Sequence, residues 1–262
     1  MTKLHDLRSY GEELRDRVML KTFPVAVKLL KKETDIPKAA IRPKRDLGFH
    51  IALCQGIAMA RREGSMVALV KADHWCYVPV IALGLARPPK FVLEGSMEYP
   101  GRIADLTAAK RVAKDAVHLE FGKYAGIVVA PLKSTTFQPD LVIVYCNPAQ
   151  LRFLLAGIRY KEGYQLVTTL EPGSACVNAT VPVLKNGECK VTLPCMGDAR
   201  LAIAQDDEVI FTVPRERLDD LMVGVRHFDA AGFGYPIKYA MRLESPQVES
   251  YRKVGKMVGL EM

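Results

Sequence analysis

The chain lacks most of the signatures that announce a reaction. No P-loop, no G-x-G-x-x-G after a strand, no G-x-S-x-G and no H-E-x-x-H occurs. Those absences remove the familiar phosphate cradles, the nucleophile elbow and the helix-borne zinc protease pair. No two cysteines are spaced C-x-x-C, so neither a zinc finger nor a thioredoxin-type redox motif is present. There is no RNP-type aromatic motif or helix-turn-helix pattern to indicate nucleic-acid binding. The longest apolar run, Tyr77 to Ala86, falls well short of the roughly 20 residues a membrane span needs. The N-terminal MTKLHDLRSYGEELRDRV has no apolar stretch of the kind that marks a secretory leader. These features predict a cytoplasmic protein with no membrane segment, in a compartment that keeps thiols reduced. Internal repeats and low-complexity linkers are also missing, so 1–262 is expected to form a single domain.

What is present is an ordinary globular composition. Of 262 residues, 49% are apolar and 25% charged, with a net charge of +8. A chain this long buries enough surface to fold without disulfide or structural metal, so a metal would point to function. The densest basic stretch runs from Lys28 to Arg45. It reads as a solvated loop, with contact to an acidic partner as the alternative.

Periodicity predicts a mixed α/β fold with a largely covered sheet and flanking helices. AGIVVAPL (125–132) and DLVIVYC (140–146) are uninterrupted apolar strands, which suits burial on both faces. PVAVKLL (24–30), SMVALVKA (65–72) and EVIFTVP (208–214) are further strands. Helices are expected over 3–18, 47–63 up to Gly64, from Pro79 to Leu85, 103–117, 148–160 and after Pro214. A last helix is expected to open at Ser245-Pro246.

Asn186-Gly187 between two alternating runs predicts an antiparallel hairpin at about 176–195 with a two-residue turn. That register sets Asn178 opposite Cys195 and makes Cys176 a diagonal neighbour of Cys195. Cys54 on the 47–63 helix and Cys76 before the Pro79 helix stand where they could face the same centre. His50 and His74 lie close by in sequence, which leaves a mixed Cys/His zinc site open. Free cysteines are also common core residues, the simplest reading of Cys146 and Cys189.

The segments CQGIAMARREG (54–64), DHWCYVPVIALGL (73–85), APLKSTTFQPDLVIVYCNPAQ (130–150), GSACVNATV (173–181) and LPCMGDARLAIAQDDEVIFTVP (193–214) occur in that order after PVAVKLL. Together they resemble the uncharacterised ArCR family of archaeal and bacterial proteins, over roughly residues 20–225. The resemblance implies cysteines at the positions of Cys54, Cys76, Cys176 and Cys195, and does not mark Cys146 or Cys189 in that way. Many relatives carry another cysteine three residues after the last of these, where this chain has Asp198. The family brings no reaction with it.

Three expectations follow. The first is a soft-metal protein with an iron–sulfur cluster, of the 4Fe–4S type, on those four cysteines, in a redox or ligand-binding role. Gly197 would let the backbone turn close to sulfur, and Arg200 would meet cluster charge, an anionic small molecule or an acidic redox partner. Zinc or no metal are the alternatives for the same residues. The second expectation is a metal-free small-molecule binder or cysteine-dependent enzyme, with Cys195 or Cys76 as nucleophile and His50 or His74 as base. The third is a domain that docks an acidic protein on its basic face.

Overall fold

Apolar runs without polar interruption become the middle of a sheet. The structure, a computed structural model, describes residues 3–237 and 248–260. Its strands are β1 (Val25–Leu30), β2 (Val67–Val70), β3 (Gly126–Pro131), β4 (Leu141–Cys146), β5 (Lys190–Thr192) and β6 (Val209–Pro214). They form one sheet in the order β2-β3-β1-β4-β6-β5. Every pair is antiparallel. All residues of β3 and β4 are buried.

The helices run α1 (Leu4–Val18), α2 (Leu53–Ala58), α3 (Tyr77–Ala82), α4 (Lys90–Leu93), α5 (Leu106–Asp115) and α6 (Pro148–Arg159). After them come α7 (Ala175–Asn178), α8 (Val181–Asn186), α9 (Met196–Ala202), α10 (Arg215–Ala230) and α11 (Glu249–Met257). Side chains alternate across each strand, so the sheet has two apolar faces. Val142, Val144, Phe211 and Val213 face α1, α6 and α10, which contribute Leu14, Leu154 and Leu221. Val27, Val129, Ile143 and Tyr145 face the other layer, which holds α2, α3, α7, α8 and α9. Antiparallel sheets often leave one face wet; here both are covered, which explains the uniformly apolar strands. On the first face α6 and α10 cross with Gly224 against Gly157, where a Cβ on Gly224 would meet the Gly157 carbonyl oxygen at 2.0 Å. Among the described residues no helix is long and apolar enough to cross a membrane.

Two local expectations are corrected. The hairpin at about 176–195 does not form: Ala175–Asn178 and Val181–Asn186 are helical. Gly187, with φ 68°, is the left-handed cap of α8, and its N–H donates to the Val183 carbonyl. Asn-Gly serves a helix stop as well as a hairpin turn because both need positive φ. Pro182 decides between them, since it has no N–H for a ladder yet fits the first turn of a helix. β5 therefore pairs with β6 alone, Val191 opposite Phe211.

The helix expected over 47–63 starts at Leu53, because Ile51 is drawn into a bridge with His74. The Ile51 N–H donates to the Asp73 carbonyl at 2.9 Å, and the Gln55 side chain accepts from the Ala52 N–H. The chain then stays helical to Glu63 and stops at Gly64 as expected. The start of the last helix, at Ser245-Pro246, lies outside the described residues.

Candidate metal centre

The four cysteines of interest all stand at the N-terminal ends of short helices on one side of the sheet. Cys54 is the second residue of α2, and Cys176 the second residue of α7. Cys76 is the N-cap of α3, and Cys195 the N-cap of α9. Cys54 and Cys176 belong to the apolar cluster beneath the sheet, and Cys76 and Cys195 pack against it. α2 packs against both α7 and α9, and α3 packs against α7. A helix N-terminus offers unsatisfied N–H groups and partial positive charge, which favour thiolate over thiol. All six cysteines of the chain are free thiols.

The thiols interact. A hydrogen bond from Cys176 holds the Cys54 thiol below its ordinary proton affinity, helped by backbone N–H groups at Cys54 and Gln55. The same interaction, with burial, pushes Cys176 well up. Burial raises Cys76 too, and negative charge on Cys54 or Cys195 adds to the rise. The Cys195 sulfur accepts from the Asp198 N–H at 3.4 Å, closing the first turn of α9.

Asp198 is the residue that sequence reasoning underrated. It is fully buried, its Oδ2 accepts from the Tyr145 hydroxyl at 2.9 Å, and its Oδ1 has no partner. Burial raises its carboxyl to about 6. Its charge reaches both Cys54 and Cys176. Behind it the Arg61 guanidinium lies 3.8 Å from the Tyr145 ring centre and forms a buried pair with Glu208 at 2.9 Å. The available signal was the spacing of Asp198 three residues after Cys195, which puts an acid at the N-cap turn.

The other predicted residues stand apart. Gly197 lies within α9, where a Cβ would touch the Cys195 sulfur at an ordinary 3.7 Å. Room beside sulfur is thus not what this glycine provides. Arg200 is exposed on the same helix. His50 is exposed and precedes α2, so it does not share a helical side with Cys54. His74 is largely buried, which lowers its ring to about 4, and neither ring nitrogen has a partner. Cys146 and Cys189 lie in the cluster on the far face of the sheet, away from the other four.

The donor chemistry fits a soft cation: four thiols, helix N-termini and one buried carboxylate oxygen without a partner. Among the described residues, no three Cys, His, Asp or Glu side chains close on a single ion position. A lone tetrahedral zinc needs that closure, with sulfurs roughly 3.8 Å apart for Zn–S bonds of about 2.3 Å. An iron–sulfur cluster holds its cysteines around a larger body and does not.

Comparison with known proteins adds ancestry. The chain is similar to the uncharacterized protein MJ0308 of Methanocaldococcus jannaschii, 28% identical over 228 residues, covering 86% of this chain and 96% of the archaeal one. No solved structure matches it significantly. The model of the uncharacterised ArCR family matches residues 13–224, a span that takes in all four helix-terminal cysteines, and the chain belongs to that family.

Proposed function

We propose that Cys54, Cys76, Cys176 and Cys195 hold a soft-metal centre in the form of a four-cysteine iron–sulfur cluster. The observation that carries this reading is the gathering of four helix N-termini, each bearing one of these cysteines, on a single apolar cluster. Thiolate sulfur would be stabilised there by backbone N–H groups and shielded from water on the buried side. When bound, a cluster supplies a one-electron couple or a Lewis-acidic iron. Asp198 presents the Tyr145-held carboxylate next to the sulfurs, and its N–H tunes Cys195. Gly197 contributes backbone N–H at the start of α9. Arg200, exposed one turn further on, is available to an anionic small molecule or an acidic redox partner.

The test is iron and acid-labile sulfide in protein purified without oxygen, read with its absorption spectrum. About four of each per chain is expected, falling sharply in single Cys→Ser variants of the four. Protein with neither iron nor sulfide would sink the cluster. Zinc in their place would sink it too, while leaving the thiolate site.

One observation favours a second reading. The Cys176 hydrogen bond that holds Cys54 down would prepare a metal-free thiol for nucleophilic or redox chemistry. Alkylation confined to Cys54 in metal-free protein would favour that reading; equal, slow labelling of every cysteine would end it.

A further inference from the structure

A cavity of about 530 Å³ opens where β2 ends. It lies outside the cysteine cluster, although its wall uses the segments that lead into Cys54 and Cys76. Lys71, His50, His74, Tyr124, Leu85 and Glu33 contribute to its lining. The size falls within the range of about 300–1,000 Å³ typical of small-molecule sites and exceeds what a bare inorganic ion would fill.

The wall is built rather than incidental. Residues 71–73 form one tight turn, fixed by Asp73, which is fully buried. Its carboxylate accepts from the Val70 N–H at 3.0 Å, the Lys44 N–H at 3.2 Å and the Arg42 guanidinium at 2.6 Å. Lys71 follows β2 directly and His74 follows the turn, tied to Ile51 across the chain. Their backbone positions are thus set by a buried charged network.

The charge of the lining is unbalanced. Glu33, the one acid in it, is within 3.7 Å of Arg42. Lys71 and His50 have no hydrogen bond or ion pair from their side chains among the described residues, and the Tyr124 hydroxyl has none either. Both His74 ring nitrogens also lack a partner. An unmet buried polar group costs about 1–3 kcal/mol, so a partner that supplied the missing bonds would be held. Leu85 and the Tyr124 ring add apolar surface for a carbon skeleton.

We propose that this cavity binds a small organic anion, with its carboxylate or phosphate at Lys71 and His50 and its carbon body against Leu85 and Tyr124. Ammonium and imidazole donors give charge-assisted bonds to either kind of anionic oxygen. The site needs no metal, so it stands or falls separately from the cysteine centre.

Trp75, the only tryptophan of the chain, directly follows the cavity-lining His74 in sequence and supplies an emission signal. Benzoate, phenyl phosphate and inorganic phosphate are titrated into the protein as isolated, at constant ionic strength, with calorimetry and Trp75 emission read together. Saturable one-site binding of benzoate or phenyl phosphate, tighter than inorganic phosphate, is expected; whichever of the two binds better assigns the anionic group. Lys71→Met, at an exposed position, should weaken binding about tenfold or more, equivalent to about 1.4 kcal/mol. Lys114→Met on α5 should leave it unchanged, and Lys71→Met should keep the wild-type metal and sulfide content, which separates the result from the metal reading. No saturable binding of any probe would overturn the proposal. So would equal affinity in the wild type and Lys71→Met, or equal losses in Lys71→Met and Lys114→Met.

Discussion

Cys54 and Cys176, at the starts of α2 and α7, interact through their thiols, and the two proton affinities move apart as a result, Cys54 down and Cys176 up. The interaction joins α2 to α7 across the apolar layer under the sheet. It makes one of two buried neighbours the natural thiolate, whether the partner of that thiolate is a metal or an electrophile.

Removing the donor should therefore act on Cys54 selectively. In metal-free Cys176→Ala protein, alkylation of Cys54 near neutral pH should slow several-fold, as followed by mass spectrometry of the native protein. Cys146 and Cys189, each pushed up to about 12 by burial, should stay unlabelled in both forms. Unchanged Cys54 labelling would show that access, and not the Cys176 bond, governs its reactivity.

The crossing of α6 and α10 makes a prediction about stability alone. Gly224→Ala would drive a Cβ into the Gly157 carbonyl at 2.0 Å, where only backbone can yield. The loss should reach the upper end of the about 1–3 kcal/mol usual for overpacking. Gly157→Ala meets the Val225 side chain at 3.0 Å, which can rotate, so its loss should be smaller. Urea unfolding of both variants ranks them, and the reverse order would contradict this account of the crossing.

The sheet was legible because AGIVVAPL and DLVIVYC carry no polar residue to compete with burial, and the structure buries every residue of both strands. The thiols were legible chiefly through the family resemblance, which implies cysteines at Cys54, Cys76, Cys176 and Cys195, and the structure puts each of them at a helix start. The juxtaposition of Cys176 with Cys54 was not legible. Asn186-Gly187 is compatible with two structures that share positive φ, and local pattern alone did not weigh Pro182 against alternation. Asp198 was hidden more deeply. An acid in a polar-looking turn is ordinarily solvated, and its burial depends on Tyr145, 53 residues away in sequence. Only tertiary structure brings that hydroxyl to the carboxylate.

Behind Tyr145, the Arg61–Glu208 pair is almost wholly buried, at 1% and 6% exposure. Arg61 also donates to the backbone carbonyl of Ile203 at 3.3 Å, just past α9. Arg61→Met should cost about 3–5 kcal/mol by leaving Glu208 buried and unpaired. Arg61→Met combined with Glu208→Gln should recover part of that loss, because no uncompensated charge then remains. Chemical denaturation of the three proteins checks it; a double variant less stable than Arg61→Met would refute the pairing as the source of the effect.

His74 and Asp198 should oppose each other as pH falls in metal-free protein. The His74 ring, at about 4 against an ordinary 6.5, stabilises the fold above pH 6.5, and that contribution is lost as pH falls through about 4. Asp198 runs the other way. Its carboxyl, at about 6 against an ordinary 3.8, stabilises the fold below pH 3.8, and that contribution is lost as pH rises through about 6. Each difference corresponds to roughly 3 kcal/mol, at about 1.4 kcal/mol per tenfold change in proton affinity. Unfolding near pH 5 thus releases a proton from Asp198 while His74 takes one up, and the two slopes largely cancel. Substitution uncovers each slope singly. Relative to the wild type, Asp198→Asn should lose stability on acidification from pH 6.5 to 4, and His74→Phe should gain it. Urea midpoints for the three proteins across that window give the difference curves, and parallel curves would remove both groups from the acid response.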